Sequence, residues 1–72
     1  MPTDVEAQIT GSVWKIERGV GDAVEEEDVI LILESMKMEI PVEAPCDGRL
    51  SEIRVNEGDN VEEGTVLAVI AD

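Results

Sequence analysis

Two uninterrupted apolar runs, Val29-Ile30-Leu31-Ile32-Leu33 and Val66-Leu67-Ala68-Val69-Ile70, stand 37 positions apart in a chain otherwise broken up by acidic residues. Each is short and β-branched, so each predicts a strand covered on both faces rather than a helix, which needs about 10 residues or more. Val13, Lys15 and Glu17 alternate imperfectly with Trp14 and Ile16, a pattern compatible with a further strand. No segment keeps a 3.6-residue apolar period with caps. The polar–apolar pattern therefore predicts an all-β chain.

The same spacing reveals an internal repeat. Shifting the chain by 37 residues lays Gly11–Leu33 on Gly48–Ile70, with identities at Gly11/Gly48, Ile16/Ile53, Gly21/Gly58, Asp22/Asp59, Val24/Val61, Glu25/Glu62, Glu26/Glu63 and Val29/Val66. Val13/Leu50, Ile30/Leu67, Ile32/Val69 and Leu33/Ile70 stay apolar. A Gly-Asp-x-Val-Glu-Glu unit held in register is beyond chance, and it predicts two similar halves about a pseudo-two-fold axis. Gly21-Asp22 and Gly58-Asp59 read as turns: glycine permits positive φ, and aspartate bonds back into its own turn. Val24 and Val61 are expected to point inward from these loops. Short duplicated strands without helices predict a flattened barrel or two-sheet sandwich, as one domain over residues 1–72.

Between the halves, Leu33 ends one strand and Met38-Glu39-Ile40-Pro41-Val42 begins another. About four residues remain to reverse the chain, which is the length of a hairpin turn. Pro41 and Pro45 cannot donate to a ladder and suit an edge or a bend. Lys37 falls at or beside the tip, in Glu34-Ser35-Met36-Lys37-Met38-Glu39.

Composition narrows what such a lysine does. A chain of 72 residues buries only about 60% of its unfolded surface and has little room for a deep catalytic pocket. It contains no histidine, so Ser35 and Ser51 have no partner for a serine–histidine triad, and a single cysteine, Cys46, excludes an internal disulfide and a four-cysteine metal site. Cys46 is expected to pack or to sit in a turn. Five basic against eighteen acidic residues give a net charge of −13, which disfavours nucleic acid and anionic membrane surfaces. With 43% hydrophobic residues the chain still folds, and the charge reads first as solubility. No apolar run approaches the roughly 20 residues of a membrane span, and Met1-Pro2-Thr3-Asp4 does not resemble a signal peptide. With one unpaired cysteine, the expectation is a cytoplasmic protein, monomeric on its own.

Three roles compete for Lys37. A turn lysine can discourage edge-to-edge aggregation. A Schiff-base lysine needs a desolvated amine, which a tight turn in a small domain does not offer. A carrier lysine needs the reverse, an amine that protrudes at fixed geometry. Met36 and Met38 supply adaptable apolar contacts for several partners, and at least one is expected to be partly exposed. Lys15 is the other lysine of the chain. Trp14, the lone tryptophan, reads either as core or as a partly exposed patch, with packing the preferred of the two.

The stretch Glu34-Ser35-Met36-Lys37-Met38, with Met38-Glu39-Ile40, Ala44-Pro45 before Gly48 and both Gly-Asp-x-Val loops, resembles the biotin-attachment motif of the biotinyl/lipoyl attachment domain family, notably its free-standing bacterial members. The similarity runs from about Val5 to Ile70. It implies a barrel-sandwich hybrid of two four-stranded antiparallel sheets, with the modified lysine on the turn between the fourth and fifth strands. It also implies covalent biotin on Lys37, added by a biotin protein ligase. The biotin would serve a biotin carboxylase and a carboxyltransferase, so the chain would be a carrier without activity of its own. Met36, Met38, Glu34 and Ser35 would form the recognition motif, with Glu39 beside them. Lipoate is the alternative cargo, although lipoyl lysines usually follow Asp and precede Ala; an unmodified interaction module is the other alternative. Two departures stand out. Glu27 takes the place of Gly64 in the other half, where the family usually has glycine. The thumb insertion of some acetyl-CoA carboxylase carriers has no counterpart in this length.

Overall fold

The computed structural model describes residues 2–71. Eight strands follow one another: β1 (Thr3–Glu6), β2 (Gly11–Ile16), β3 (Ala23–Val24), β4 (Val29–Ser35), β5 (Met38–Glu43), β6 (Gly48–Ile53), β7 (Asn60–Val61) and β8 (Val66–Ala71). They form two four-stranded antiparallel sheets, β1-β8-β6-β3 and β5-β4-β2-β7, with no helix among the described residues, as the apolar pattern predicts. The chain folds as a barrel-sandwich hybrid.

The repeat is visible in every ladder. In β2–β4 the register runs Ser12↔Glu34, Val13↔Leu33, then Lys15↔Ile32, so Trp14 is an extra, unpaired residue. In β6–β8 it runs Arg49↔Ala71, Leu50↔Ile70, then Glu52↔Val69, leaving Ser51 extra at the position equivalent to Trp14. The halves are not packed side by side as separate units. Each sheet takes two strands from either half, because β1 pairs with β8 and β2 pairs with β7.

The core lies between the sheets. Ile30, Leu31, Leu33, Leu67 and Ile70 are fully buried, and Val24 and Val61, expected in loops, turn in from the two-residue strands β3 and β7. Truncating one of the large residues to alanine removes about 2–5 kcal/mol. Cys46 packs against this cluster from its loop, as Ile9 does in the other half. The loops also behave as the sequence indicates. Gly21 and Gly58 hold φ of 95° and 96°, and Asp22 and Asp59 accept hydrogen bonds from the backbone N–H of Gly19 (2.8 Å) and Asn56 (2.9 Å). Pro41 lies in β5, an edge strand.

Trp14 departs from its expected packing role. The bulge leaves it outside the ladder, turned to solvent and 46% exposed, while neighbouring Val13 fills the core. Among the described residues no helix is long and apolar enough to cross a membrane.

Candidate functional site

The turn between β4 and β5 is shorter than the four residues expected. Ser35 pairs with Met38, so only Met36 and Lys37 stand at the tip. Both have left-handed backbones, φ 52° and 67°. A two-residue hairpin loop with both central residues at positive φ is a type I′ turn, whose twist matches that of the flanking strands. Asn-Gly is the usual occupant; here methionine and lysine fill it at a conformational penalty of about 1 kcal/mol or more each.

The side chains project outward. Lys37 is exposed, Met36 is 92% exposed and Met38 64%. Neither methionine packs beneath the hairpin. Among the described residues no ion pair engages Lys37. Its amine therefore has open approach from solvent and room for an acyl substituent, so the site fits a carried group attached there. Glu34 and Glu39 lie directly opposite one another at the foot of the turn, both exposed. Like charges across a ladder oppose pairing. Ser35, half-buried, completes the β4 end of the motif. The turn brings the five motif residues Glu34 to Met38 to one end of one sheet, together with Glu39.

Below the hairpin, Gly11 does more than the repeat alone suggests. A Cβ on Gly11 would lie 2.5 Å from the Glu34 carbonyl oxygen. Only glycine lets β2 approach β4 this closely beneath the tip. The identity Gly11/Gly48 is the sequence signal for this, since Gly48 stands equally close to the Ala71 carbonyl.

The β domain thus holds one lysine at an exposed two-residue turn, where an approaching partner can reach it. Residues 1–70 match the family model described as biotin-requiring enzyme, the biotin/lipoyl domain. The chain belongs to the biotin/lipoyl attachment domain family. It is 46% identical over 63 residues to a biotin/lipoyl attachment protein of Bacillus subtilis, covering 88% of this chain and 86% of that one. It is 44% identical over 71 residues to a homolog of biotinylated protein TB7.3 from Mycobacterium leprae, covering 99% and 100% respectively. Among solved structures, the urea carboxylase of Kluyveromyces lactis superposes with a TM-score of 0.94 at 38% identity, over 99% of this chain and 6% of that enzyme. The domain thus resembles the biotinyl domains built into carboxylases.

Proposed function

We propose that Lys37 carries covalent biotin and that the chain is a carboxyl carrier, serving a biotin carboxylase and a carboxyltransferase of the acyl-CoA carboxylase type. The observation that carries this reading is the two-residue turn, which sets the lysine between two exposed methionines on a fixed ladder. A biotin protein ligase would supply biotin as an activated acyl-adenylate, and Lys37 would hold it through an amide formed at that carbonyl, with AMP as the leaving group and the amine's proton passing to solvent. When bound, biotin supplies a ureido nitrogen that takes up and gives up a carboxyl group.

The chain's own contribution is mechanical and steric. The β4–β5 ladder fixes the pivot, and Met36 and Met38 offer soft apolar contacts to whichever enzyme approaches. Tethering raises the cargo's local concentration at each partner's active site. Glu34 and Ser35 belong to the surface the ligase reads, with Glu39 at its edge.

Intact mass after incubation with biotin protein ligase and ATP tests this. One biotinyl group is expected on the native chain and on Lys15→Arg, and none on Lys37→Arg, which keeps the charge without an acylatable amine. A lipoyl adduct under lipoyl ligase, with no biotinyl adduct, would assign the other cargo. Biotinylation surviving in Lys37→Arg would move the site away from the hairpin.

A further inference from the structure

The repeat lets strand positions of the two halves be compared, although the hairpin at Met36 and Lys37 has no counterpart 37 residues on. A cleft of about 520 Å³ lies between that hairpin and the β2–β7 pair. Val61 and Met36 give it an apolar floor and wall. Ser12, Ser35, Thr10 and Asn60 add hydroxyls and an amide. Among the described residues, the Ser12 and Ser35 hydroxyls and the Asn60 amide make no hydrogen bond; Thr10 Oγ1 accepts one, at 3.4 Å, from the Glu63 N–H.

The equivalent strand pair in the other half carries different side chains. Arg49 stands where Ser12 does, paired with Ala71 and Ala23 as Ser12 is paired with Glu34 and Asn60. Its guanidinium Nη1 donates to the Gly21 carbonyl at 2.8 Å. Ala23 replaces Asn60 and offers no polar atom beyond its backbone. One strand pair thus carries an arginine bonded to its own turn, and the pair beside the hairpin carries Ser12 and Asn60, whose side chains make no hydrogen bond among the described residues.

The geometry points to this cleft as a resting site for the carried group: with Lys37 acylated by biotin, its neutral ureido-bearing ring folds back against Met36 and bonds to Ser12 and Asn60. A cleft of this size, part apolar and with a few convergent polar groups, suits a small bicyclic ligand. The ureido unit both donates and accepts, which hydroxyl and carboxamide side chains can answer together. Glu34 and Glu62 at the rim oppose a negatively charged ligand, so the cleft selects the neutral form of the cargo. The site rests on the attachment reading above, and intact mass separates the two.

The test compares ¹⁵N-labelled protein before and after enzymatic biotinylation by heteronuclear NMR, on material shown by mass to carry one biotinyl group. The expected result is a shift of the Ser12 and Thr10 backbone amides and the Asn60 side-chain amide, beyond changes next to Lys37. Ser12→Arg copies the other half, with the Gly58 carbonyl as the equivalent acceptor, and Asn60→Ala copies its Ala23. In each, the distant shifts should vanish and avidin should capture the tethered biotin several-fold faster than in the native chain. Shifts confined to residues 35–39, or distant shifts unchanged in both variants, overturn the resting site. Absence of any biotinyl adduct overturns it together with the attachment reading.

Discussion

Glu27 and Gly64 occupy equivalent places in the two halves and share a left-handed backbone, φ 76° and 90°. Each donates its backbone N–H at 2.8 Å, Glu27 to the Ala44 carbonyl and Gly64 to that of Ala7. The fold dictates the conformation, and one half meets it with a residue that resists it. Glu27→Gly should therefore stabilise the chain by about 1 kcal/mol, less the entropy glycine returns to the unfolded state. Urea unfolding checks this. An unchanged or lowered midpoint at constant slope would show that the Glu27 side chain offsets its own strain.

Met36 presents the same conflict for a different reason. Its φ of 52° is normal for asparagine in a type I′ turn and unfavourable for methionine. Met36→Asn should raise stability by about 0.5–1 kcal/mol while slowing biotin transfer to Lys37, since the apolar flank is lost. Thermal melts and a time course of adduct formation separate the two effects. Faster or unchanged transfer would remove Met36 from the recognition surface.

Gly11→Ala and Gly48→Ala form a matched pair. Each places a Cβ 2.5 Å from a carbonyl oxygen, of Glu34 and of Ala71 respectively, and each should destabilise by about 1–3 kcal/mol through forced backbone movement. Only Gly11 lies beneath the hairpin. Among molecules that remain folded, Gly11→Ala should slow acylation of Lys37 and Gly48→Ala should not; equal rates would show that the turn tolerates movement at its foot.

Trp14 should report solvent. Its emission is expected to be red-shifted and readily quenched by acrylamide in the native state, and Trp14→Ala should change stability by no more than about 0.5 kcal/mol. A blue-shifted, protected emission would mean that the face carrying Trp14 is covered in solution, for instance by a second copy.

The reach of the sequence follows from how far apart the determining contacts lie. The turn at Met36 and Lys37 joins strands adjacent in the chain, so its place could be read from local pattern alone. Burial of Ile30, Leu31 and Leu33, and of Leu67, Ala68, Val69 and Ile70, was equally legible, because apolar runs state their own need for cover. Partner strands were not. Nothing in Gly11–Ile16 announces that Asn60–Val61 will lie beside it, and a repeat predicts a two-fold axis without saying which strands pair across it. Trp14 was misplaced for the same reason: a bulge is a property of two paired strands, and period-two counting along β2 cannot reveal it. The open corner at Ser12 and Asn60 needed both halves superposed before its difference from Arg49 and Ala23 meant anything.

The exchange of strands between halves has a consequence for the turn that holds Lys37. A lone β4–β5 hairpin is at best marginally stable in water, and left-handed methionine and lysine weigh further against its turn. The frame that holds it includes β2 above Gly11 and, beyond β2, β7 from the far half. The turn's shape therefore depends on strands far away in the chain as well as on its own two.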